Sequence, residues 1–485
     1  MLNRKLLEVL SRLDSTELKK LRLLLLSPYI NPGYQDVVLI ELYDYIISYQ
    51  SDEEHPMLDK AVVFARFFPG KPYRENEKNA LDGLMSKLVN LVRTFLMHEK
   101  LRRDAYETEY QETLASLQFY RRHGLEERFW QTVKAASKRQ EEWPYKDARH
   151  YQRQFSLAEE IAAFKTIMNT FQDDANIETT SYYLDTYYSI VHLEIECALM
   201  YQQQLTGQPY DDEQISQLLS IAHWGEGEQV ALIRLYKLII HLLKDPYSDE
   251  QYNSFETLLD QSASEIPAET YSNLKAFQRY FWSRRYIKSG EAFYRQKLFD
   301  LYKDHFEKGY FYVDGSITLT SLRVLIIFAL KLGHFDWVKK VLDDHPPSRI
   351  CGTRYPAEAH NLNLAEYHFS KKEYPEAVEK LQYRLFENPN FSLFVDVLLI
   401  KIYFETEDEL LESRMKALEQ KVRRVKISPD ARNRYTNFLK KLDKINRHIW
   451  QKESSRYEKM TQEIKTTPQI LEREWLLEIL ERRAR

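Results

Sequence analysis

Apolar residues recur at every third or fourth position along most of this 485-residue chain, and this period constrains its fold more than any other feature. The clearest run comprises Leu81, Leu84, Met85, Leu88, Leu91, Val92, Phe95 and Leu96. Such spacing places the side chains on one face of an α-helix. The chain has 12 glycines, and glycine is the residue that tight turns between strands consume. The sequence therefore predicts an all-α protein.

The composition suits a folded protein with a charged surface. Hydrophobic residues make up 44% of the chain and charged residues 29%. The two cysteines, Cys197 and Cys351, lie far apart and form no CxxC pair, so neither a disulfide framework nor a zinc site is expected. Reduced cysteines and the lack of a signal-peptide pattern favour a cytoplasmic location. No apolar stretch approaches the roughly 20 residues that span a bilayer, so no membrane partner is expected.

The helical pattern divides the chain into three predicted regions. Residues 1–105 form an N-terminal helical region, in which Asp14 and Glu17 are spaced as in a capping box. Residues 106–410 show a helix–turn–helix pattern. Residues 411–485 carry basic amphipathic helices, which we interpret as a hairpin that caps the preceding helices. A dimerising coiled coil is the alternative interpretation of this last region.

The most regular helix–turn–helix segment lies between residues 320 and 405. Ala365 and Ala377 are spaced for two helices that cross closely, and Pro389 is expected to end the second helix. The same scheme recurs earlier at Ala329, Gly333, Phe335, Val338, Leu342 and Pro346. In these positions the chain resembles the tetratricopeptide-repeat family. The resemblance implies a solenoid of stacked helix pairs with a concave surface, and an irregular helical bundle is the alternative.

A second resemblance concerns the beginning of the chain. Segments 26–31, 67–73 and 81–96 are similar to the N-terminal region of a group of bacterial helical proteins that have no assigned activity. The resemblance implies only that this region is a structural unit.

No motif of an enzyme or cofactor site is present. The sequence lacks a P-loop, a glycine-rich dinucleotide motif, HExxH and GxSxG. We interpret His192 and Glu196, four residues apart, as an ion pair on a helix surface, with a metal or acid–base site as the alternative. We interpret residues 211–213 as the acidic start of a helix, with a calcium loop as the alternative. No cofactor or metal is expected.

Several other features are interpreted as structural. His334 and His345 flank a predicted helix and are expected to be packed within the fold. Residues 316–320 alternate between polar and apolar, but the segment is too short and isolated to predict a sheet. The loop at 343–356 contains three prolines and is predicted to be a mobile insertion. The pairs at 182–183 and 187–188 are tyrosines that pack around a helix, although an acidic aromatic surface there would also suit a basic peptide.

Charge is unevenly distributed along the chain. Residues 173–260 contain 16 acidic residues and 3 lysines or arginines, whereas residues 411–460 contain 15 lysines or arginines and 6 acidic residues. Such segregation either steers a partner or lets the two segments attract each other.

We interpret the chain as a non-catalytic scaffold that holds a partner protein on a concave helical surface. The residues expected to contact that partner are Arg323, Phe328, Glu366, Phe369, Asp396 and Tyr403. One alternative is a nucleic-acid-associated regulator, whose phosphate contacts would be Arg423, Arg424, Lys426, Arg432 and Arg434. Another alternative is a helical enzyme with dispersed acidic and histidine residues. The oligomeric state is left open.

Overall fold

The computed structural model describes residues 2, 4–31, 37–49, 52, 55–74, 80–168, 175–206, 213, 215–216, 229–313, 315–381, 389–452 and 454–484. Within these ranges the chain forms 22 α-helices and three short strands, so the prediction of an all-α protein is confirmed. The chain divides into two compact units, Met1–Ala136 and Ser137–Arg485, here called unit 1 and unit 2. The predicted boundaries after residues 105 and 410 do not coincide with this division.

Unit 1 contains helices of which the first five, within residues 4–103, share one core. In the described part of the chain they are α1 (Arg4–Leu10), α2 (Ser15–Leu25), α3 (Val37–Tyr49), α4 (Lys60–Phe67), α5 (Ala80–Arg103), α6 (Ala105–Arg122) and α7 (Glu126–Glu142), the last of which crosses the boundary between the units. α2 begins at the predicted capping box. The Asp14 carboxylate accepts hydrogen bonds from the backbone N–H groups of Thr16 and Glu17, and the Glu17 carboxylate accepts one from the N–H of Asp14.

Unit 2 contains the remaining described elements. Its helices are α8 (Ala148–Ile167), α9 (Ala175–Thr206), α10 (Ala231–Lys244), α11 (Asp249–Gln261), α12 (Ala268–Ser289), α13 (Ala292–Glu307), α14 (Leu319–Lys331), α15 (Phe335–Asp344), α16 (Pro356–Ser370), α17 (Tyr374–Lys380), α18 (Pro389–Glu405), α19 (Leu411–Arg424), α20 (Pro429–Arg447), α21 (Ser455–Thr466) and α22 (Arg473–Arg483). Pro389 begins α18, whereas the sequence had suggested that it ends the preceding helix.

From α12 to α20, helices that follow each other in the chain mostly pack against each other, and α16 also packs on both α14 and α18. Ala365 in α16 and Ala377 in α17 are fully buried in the core of this segment. Their small side chains let the two helix backbones approach closely. A second core, which includes Leu393, Leu418 and Leu476, runs from α18 into α19–α22. The C-terminal helices therefore continue the packing of α18 and share its core.

A small sheet lies beside α14, and the expectation that residues 316–320 form no sheet was wrong. β1 (Tyr312–Val313) pairs with β2 (Ser316–Thr318) in an antiparallel hairpin, and β2 pairs in parallel with β3 (Ile350–Cys351). Ile317 of β2 is completely buried. The sequence pattern missed this sheet because β3 comes from the distant loop at 343–356, which the pairing anchors to β2.

No helix in the described part of the chain is long and apolar enough to cross a membrane.

Candidate functional site

Four of the six residues predicted to line a concave surface are buried inside unit 2. They are Arg323, Phe328, Glu366 and Asp396. Arg323 of α14 donates a hydrogen bond to the Glu366 carboxylate of α16 at 2.6 Å, and its guanidinium lies 4.8 Å from the centre of the Phe394 ring. This pair joins neighbouring helices in the interior, so the prediction that its members face an open groove is corrected.

Asp396 similarly joins α18 to the C-terminal helices. Its carboxylate accepts a hydrogen bond from Lys421 Nζ at 2.6 Å and lies 3.4 Å from Arg414 Nη1. The other two predicted residues, Phe369 and Tyr403, are half-buried and pack against the cores on both sides of α18. A contact with a partner stays a prediction for these two. The surface is covered because α19–α22 close over the last helix pair, which a repeat pattern alone does not reveal.

Of the five basic residues predicted to contact nucleic acid, all but Arg434 are exposed. Arg423, Arg424 and Lys426 are exposed near the end of α19, where Arg423 pairs with Glu419. The Arg432 guanidinium instead donates to the carbonyl oxygens of Val422 and Val425, at 3.4 and 3.3 Å, and so caps the C-terminus of α19. Arg434 is half-buried and lines a separate pocket. Four of the five cations therefore lie at the surface around the end of α19, and Arg434 lies apart from them.

A pocket of about 320 Å³, here called the charged pocket, lies where α22 meets α13, α14, α16 and α18. On one side of it, Lys401 Nζ lies 2.9 Å from a Glu472 oxygen and 4.5 Å from the centre of the Phe369 ring. Glu472 precedes α22 and adopts a left-handed backbone conformation with φ of 52°. A non-glycine residue holds such a conformation when its surroundings fix it, and Lys401 is the ion-pair partner of this side chain.

Two further carboxylates fasten α22 to the rest of unit 2. The Glu474 carboxylate lies 2.8 Å from Arg295 Nη1 and 3.7 Å from Lys331 Nζ. The second carboxylate is that of Glu405: the Trp475 indole N–H donates to it at 2.8 Å, and the Arg482 guanidinium donates to both of its oxygens. Because each carboxylate is held by a nitrogen donor on a different helix, the network fixes both the position and the rotation of α22.

Electrostatics keep the groups of the charged pocket ionised. Burial raises the pKa of Glu472, but the ammonium groups of Lys401 and Lys331 outweigh this and lower it to about 2. Burial lowers the pKa of Lys331, and the carboxylate of Glu472 more than reverses the shift, so that this pKa lies above its ordinary value. At neutral pH these groups form fixed ion pairs. Their direct role is to hold the segment that leads into α22.

The histidines singled out in the sequence have structural surroundings. His192 makes a ring contact with Tyr188, at 5.1 Å between centroids, and its Nδ1 has no hydrogen-bond partner among the described residues. Glu196 is buried, so the two do not form an ion pair on the helix surface. His345 is buried, with Nδ1 donating to the carbonyl oxygen of Val341 and Nε2 accepting from the Tyr312 hydroxyl, both at 2.7 Å.

Metal ligation was the alternative for two acidic segments. Among the residues that the structure describes, no group of three or more histidine, cysteine, aspartate or glutamate residues is arranged to hold a metal ion. Asp211 and Asp212, the first residues of the candidate calcium loop, lie outside the described residues.

An exposed apolar stripe runs along α9, the 32-residue helix of unit 2. This stripe, here called the α9 apolar face, consists of Ile177, Leu184, Tyr188, Ile195 and Leu199, whose side chains are between 43% and 68% exposed. Spacings of seven and four residues place all five on one side of an α-helix. At 1.5 Å per residue, the stripe is about 33 Å long.

The opposite side of α9 forms part of the core of unit 2. Ile190, Leu193, Cys197 and Met200 are buried there against α10 and its neighbours. α9 is therefore apolar on two opposite sides, one packed and one exposed. A helix that is apolar around its circumference normally lies between two partners.

The exposed stripe is bordered by negative charge. α9 contains Glu178, Asp185, Glu194 and Glu196 but no lysine or arginine. Glu178 and Asp185 fall on one border of the α9 apolar face and Glu194 on the other, because they are offset from it by about a quarter turn. Burial raises the pKa of Glu194. The arrangement combines an apolar docking surface with acidic edges.

The sequence analysis found part of this surface. Tyr188 belongs to the α9 apolar face, but Tyr182 and Tyr183 are half-buried against the core of unit 2. The signal that would have identified the face is the second apolar stripe at 177, 184, 188, 195 and 199, running beside the one that packs.

Comparisons of the chain with protein-family models, with curated proteins and with solved structures found no match.

Proposed function

We propose that this chain is a non-catalytic scaffold that binds a partner polypeptide. We further propose that unit 2 is a helical-repeat solenoid of the tetratricopeptide type, a view supported by the packing of successive helices and of α16 on both α14 and α18. The free thiols of Cys197 and Cys351 are consistent with a cytoplasmic location, which is also part of the proposal.

The α9 apolar face is the observation that carries the proposal. Contiguous apolar surface with a polar border is typical of protein interaction sites, because exposing it to water is unfavourable. Its length of about 33 Å matches a helix of roughly 20 residues. The surface thus suits an amphipathic helix that lies alongside α9.

The acidic borders indicate the charge of that helix. Lysine or arginine beside its apolar stripe would face Glu178, Asp185 and Glu194, which favours association and orients the partner. A second copy of α9 would instead bring these carboxylates against each other, and like charges at an interface oppose binding. We therefore infer a partner with a basic amphipathic helix.

Replacing Leu184 and Ile195 with serine in the full chain is expected to abolish partner binding while leaving the fold intact, because both side chains are exposed. The measurement is capture of tagged protein from its native lysate after nuclease treatment, followed by identification and titration of any stoichiometric protein. The matched control is Ile449→Ser, which removes an apolar side chain that is 91% exposed elsewhere in unit 2. The control variant should bind as the unaltered chain does.

Three outcomes would contradict the proposal. A partner retained by the Leu184→Ser, Ile195→Ser variant would place the binding surface elsewhere. A dimer in light scattering that this variant converts to a monomer would make a second copy the occupant. Loss of all captured material on nuclease treatment would favour nucleic acid, with Arg423, Arg424, Lys426 and Arg432 as the exposed contacts to neutralise next.

A further inference from the structure

A second, smaller pocket in unit 2 is lined by an excess of positive charge. It has a volume of about 140 Å³ and lies between the end of α12 and the start of α22, with Arg434 of α20 on one wall. Lys331 and Arg473 are the other cations that line it, and Glu472 and Glu474 are its carboxylates. We call it the arginine pocket. Its location is separate from the α9 apolar face.

The two carboxylates are already neutralised by cations outside the arginine pocket. Glu472 pairs with Lys401 at 2.9 Å, and Glu474 pairs with Arg295 at 2.8 Å. Neither therefore supplies a full negative charge to Arg434 or Arg473. Within the described residues, no carboxylate lies within ion-pair distance of either arginine.

Two arginine nitrogens in this region lack acceptors, whereas Nη2 of Arg473 donates to the carbonyl oxygen of Thr467 at 2.6 Å. Nε of Arg473 and Nε of the nearby Arg284 are buried and have no hydrogen-bond partner among the described residues. Arg284 and Arg434 are close enough for their charges to repel. A buried donor without an acceptor costs about 1–3 kcal/mol, more when it is charged, and a ligand that accepts a hydrogen bond from Arg473 would remove that cost.

The backbone around the arginine pocket also favours a positively charged site. Gly290, at the end of α12, adopts φ of +69°, and a Cβ added there would collide with the guanidinium of Arg473. The glycine therefore leaves the room in which that guanidinium lies against the α12 terminus. The neighbouring N-terminus of α22 has no side-chain cap, so the partial positive charge of its first turn adds to that of the arginines.

Burial lowers the pKa of both Arg434 and Arg473. Desolvation without a matching negative charge destabilises the ionised guanidinium, and a bound anion would reverse this. The lowered pKa values agree with the geometry, in which neither arginine forms an ion pair with a carboxylate of the described residues.

We propose that the arginine pocket binds a phosphate-type oxyanion through Arg434 and Arg473, either as inorganic phosphate or as the phosphate group of a larger molecule. Planar guanidinium groups donate in pairs to the oxygens of such an anion. A water molecule takes up about 30 Å³ in the liquid, so a pocket of this volume holds a tetrahedral ion of five heavy atoms. The anion would join α12, α20 and α22.

The test is calorimetric titration of the full chain with inorganic phosphate, with sodium chloride added to keep the ionic strength constant. Saturable binding is expected, and Arg434→Gln or Arg473→Gln should each weaken it by about tenfold or more, as loss of a charge-assisted hydrogen bond does. Lys440→Gln is the matched control, because Lys440 is exposed on the same helix as Arg434 and does not line the pocket.

Arg434→Lys keeps the positive charge but lacks the planar pair of donors, so it should bind phosphate with intermediate affinity. Circular dichroism checks that each variant is folded. Phosphoserine and a nucleoside monophosphate serve as further ligands. Tighter binding of either identifies a phosphate ester as the ligand, and preference for the free ion identifies phosphate itself. Absence of saturable binding to all three, or equal affinity in Arg434→Gln, Arg473→Gln and the unaltered chain, would overturn the proposal.

Discussion

Replacing Arg323 with methionine is expected to destabilise the α14–α16 segment by about 3–5 kcal/mol, the cost of leaving the partner of a buried ion pair unpaired. Both Arg323 and Glu366 are 7% exposed, and the hydrogen bond between them is 2.6 Å long. Methionine fills most of the space of the arginine stem but supplies no donor. The carboxylate of Glu366 then remains in the interior without its closest cation.

The measurement is hydrogen exchange of peptides within α14 and α16, because a chain with two compact units need not unfold in one transition. Arg423→Met is the matched control, since Arg423 pairs with Glu419 at the surface and its loss should cost less than about 1 kcal/mol. The double variant Arg323→Met, Glu366→Met should recover much of the lost stability. Equal protection from hydrogen exchange in Arg323→Met and Arg423→Met would show that the buried ion pair contributes no more to stability than the exposed one.

The features that depend on neighbouring residues were predictable from the sequence. α5 covers the apolar run at 81–96, and the side chain of Ser428 caps α20 with Pro429 at its first position. The capping box at the start of α2 is formed by Asp14 and Glu17, three residues apart. In each case the residues that determine the structure lie within one or two helical turns of each other, so the local sequence is sufficient to predict it.

Features that depend on distant segments were not predictable. Arg323 and Glu366 are 43 residues apart, and a helical pattern shows that both are polar but not that they meet in the interior. The local sequence around a polar residue is the same whether its side chain faces another helix or faces water. The interpretation of these residues as an open groove was therefore reasonable from the pattern, and burial corrects it.

The arginine pocket illustrates the same limit for a candidate site. Its walls come from α12, α20 and the start of α22, and the basic residues in it belong to segments that the sequence presents as ordinary amphipathic helices. The sequence analysis groups Arg434 with Arg423, Arg424, Lys426 and Arg432 because all five are close in sequence. The structure separates Arg434 from the rest, since it faces α12 and α22 while the other four are exposed around the end of α19.

The charged pocket should make unit 2 sensitive to acid through Glu472. Its pKa is about 2 in the folded chain, compared with an ordinary value of 4.5, because Lys401 and Lys331 stabilise the carboxylate against the cost of burial. A lowered folded-state pKa contributes stability that is fully present above about pH 4.5 and is lost as the pH falls toward 2. The shift corresponds to a contribution of about 3 kcal/mol at neutral pH.

Glu472→Gln is therefore expected to destabilise unit 2 at neutral pH by about that amount, and the difference from the unaltered chain should shrink as the pH falls from about 4.5 to 2. The difference shrinks because protonation removes from the unaltered chain the same charge that the substitution removes. Hydrogen exchange of α22, measured at several pH values and corrected for the intrinsic exchange rate, follows the effect.

Glu478→Gln provides the control for this pH dependence, because Glu478 is exposed on α22 and its carboxylate lies 3.7 Å from Arg482. Its loss should change stability by less than about 1 kcal/mol at any pH. A difference between Glu472→Gln and the unaltered chain that stays constant from neutral pH to pH 2 would assign the effect to the shape of the side chain, or to the backbone at φ of 52°, instead of to its charge. A difference that disappears in acid would show that the ionised carboxylate of Glu472, stabilised by Lys401 and Lys331, holds the start of α22 in place.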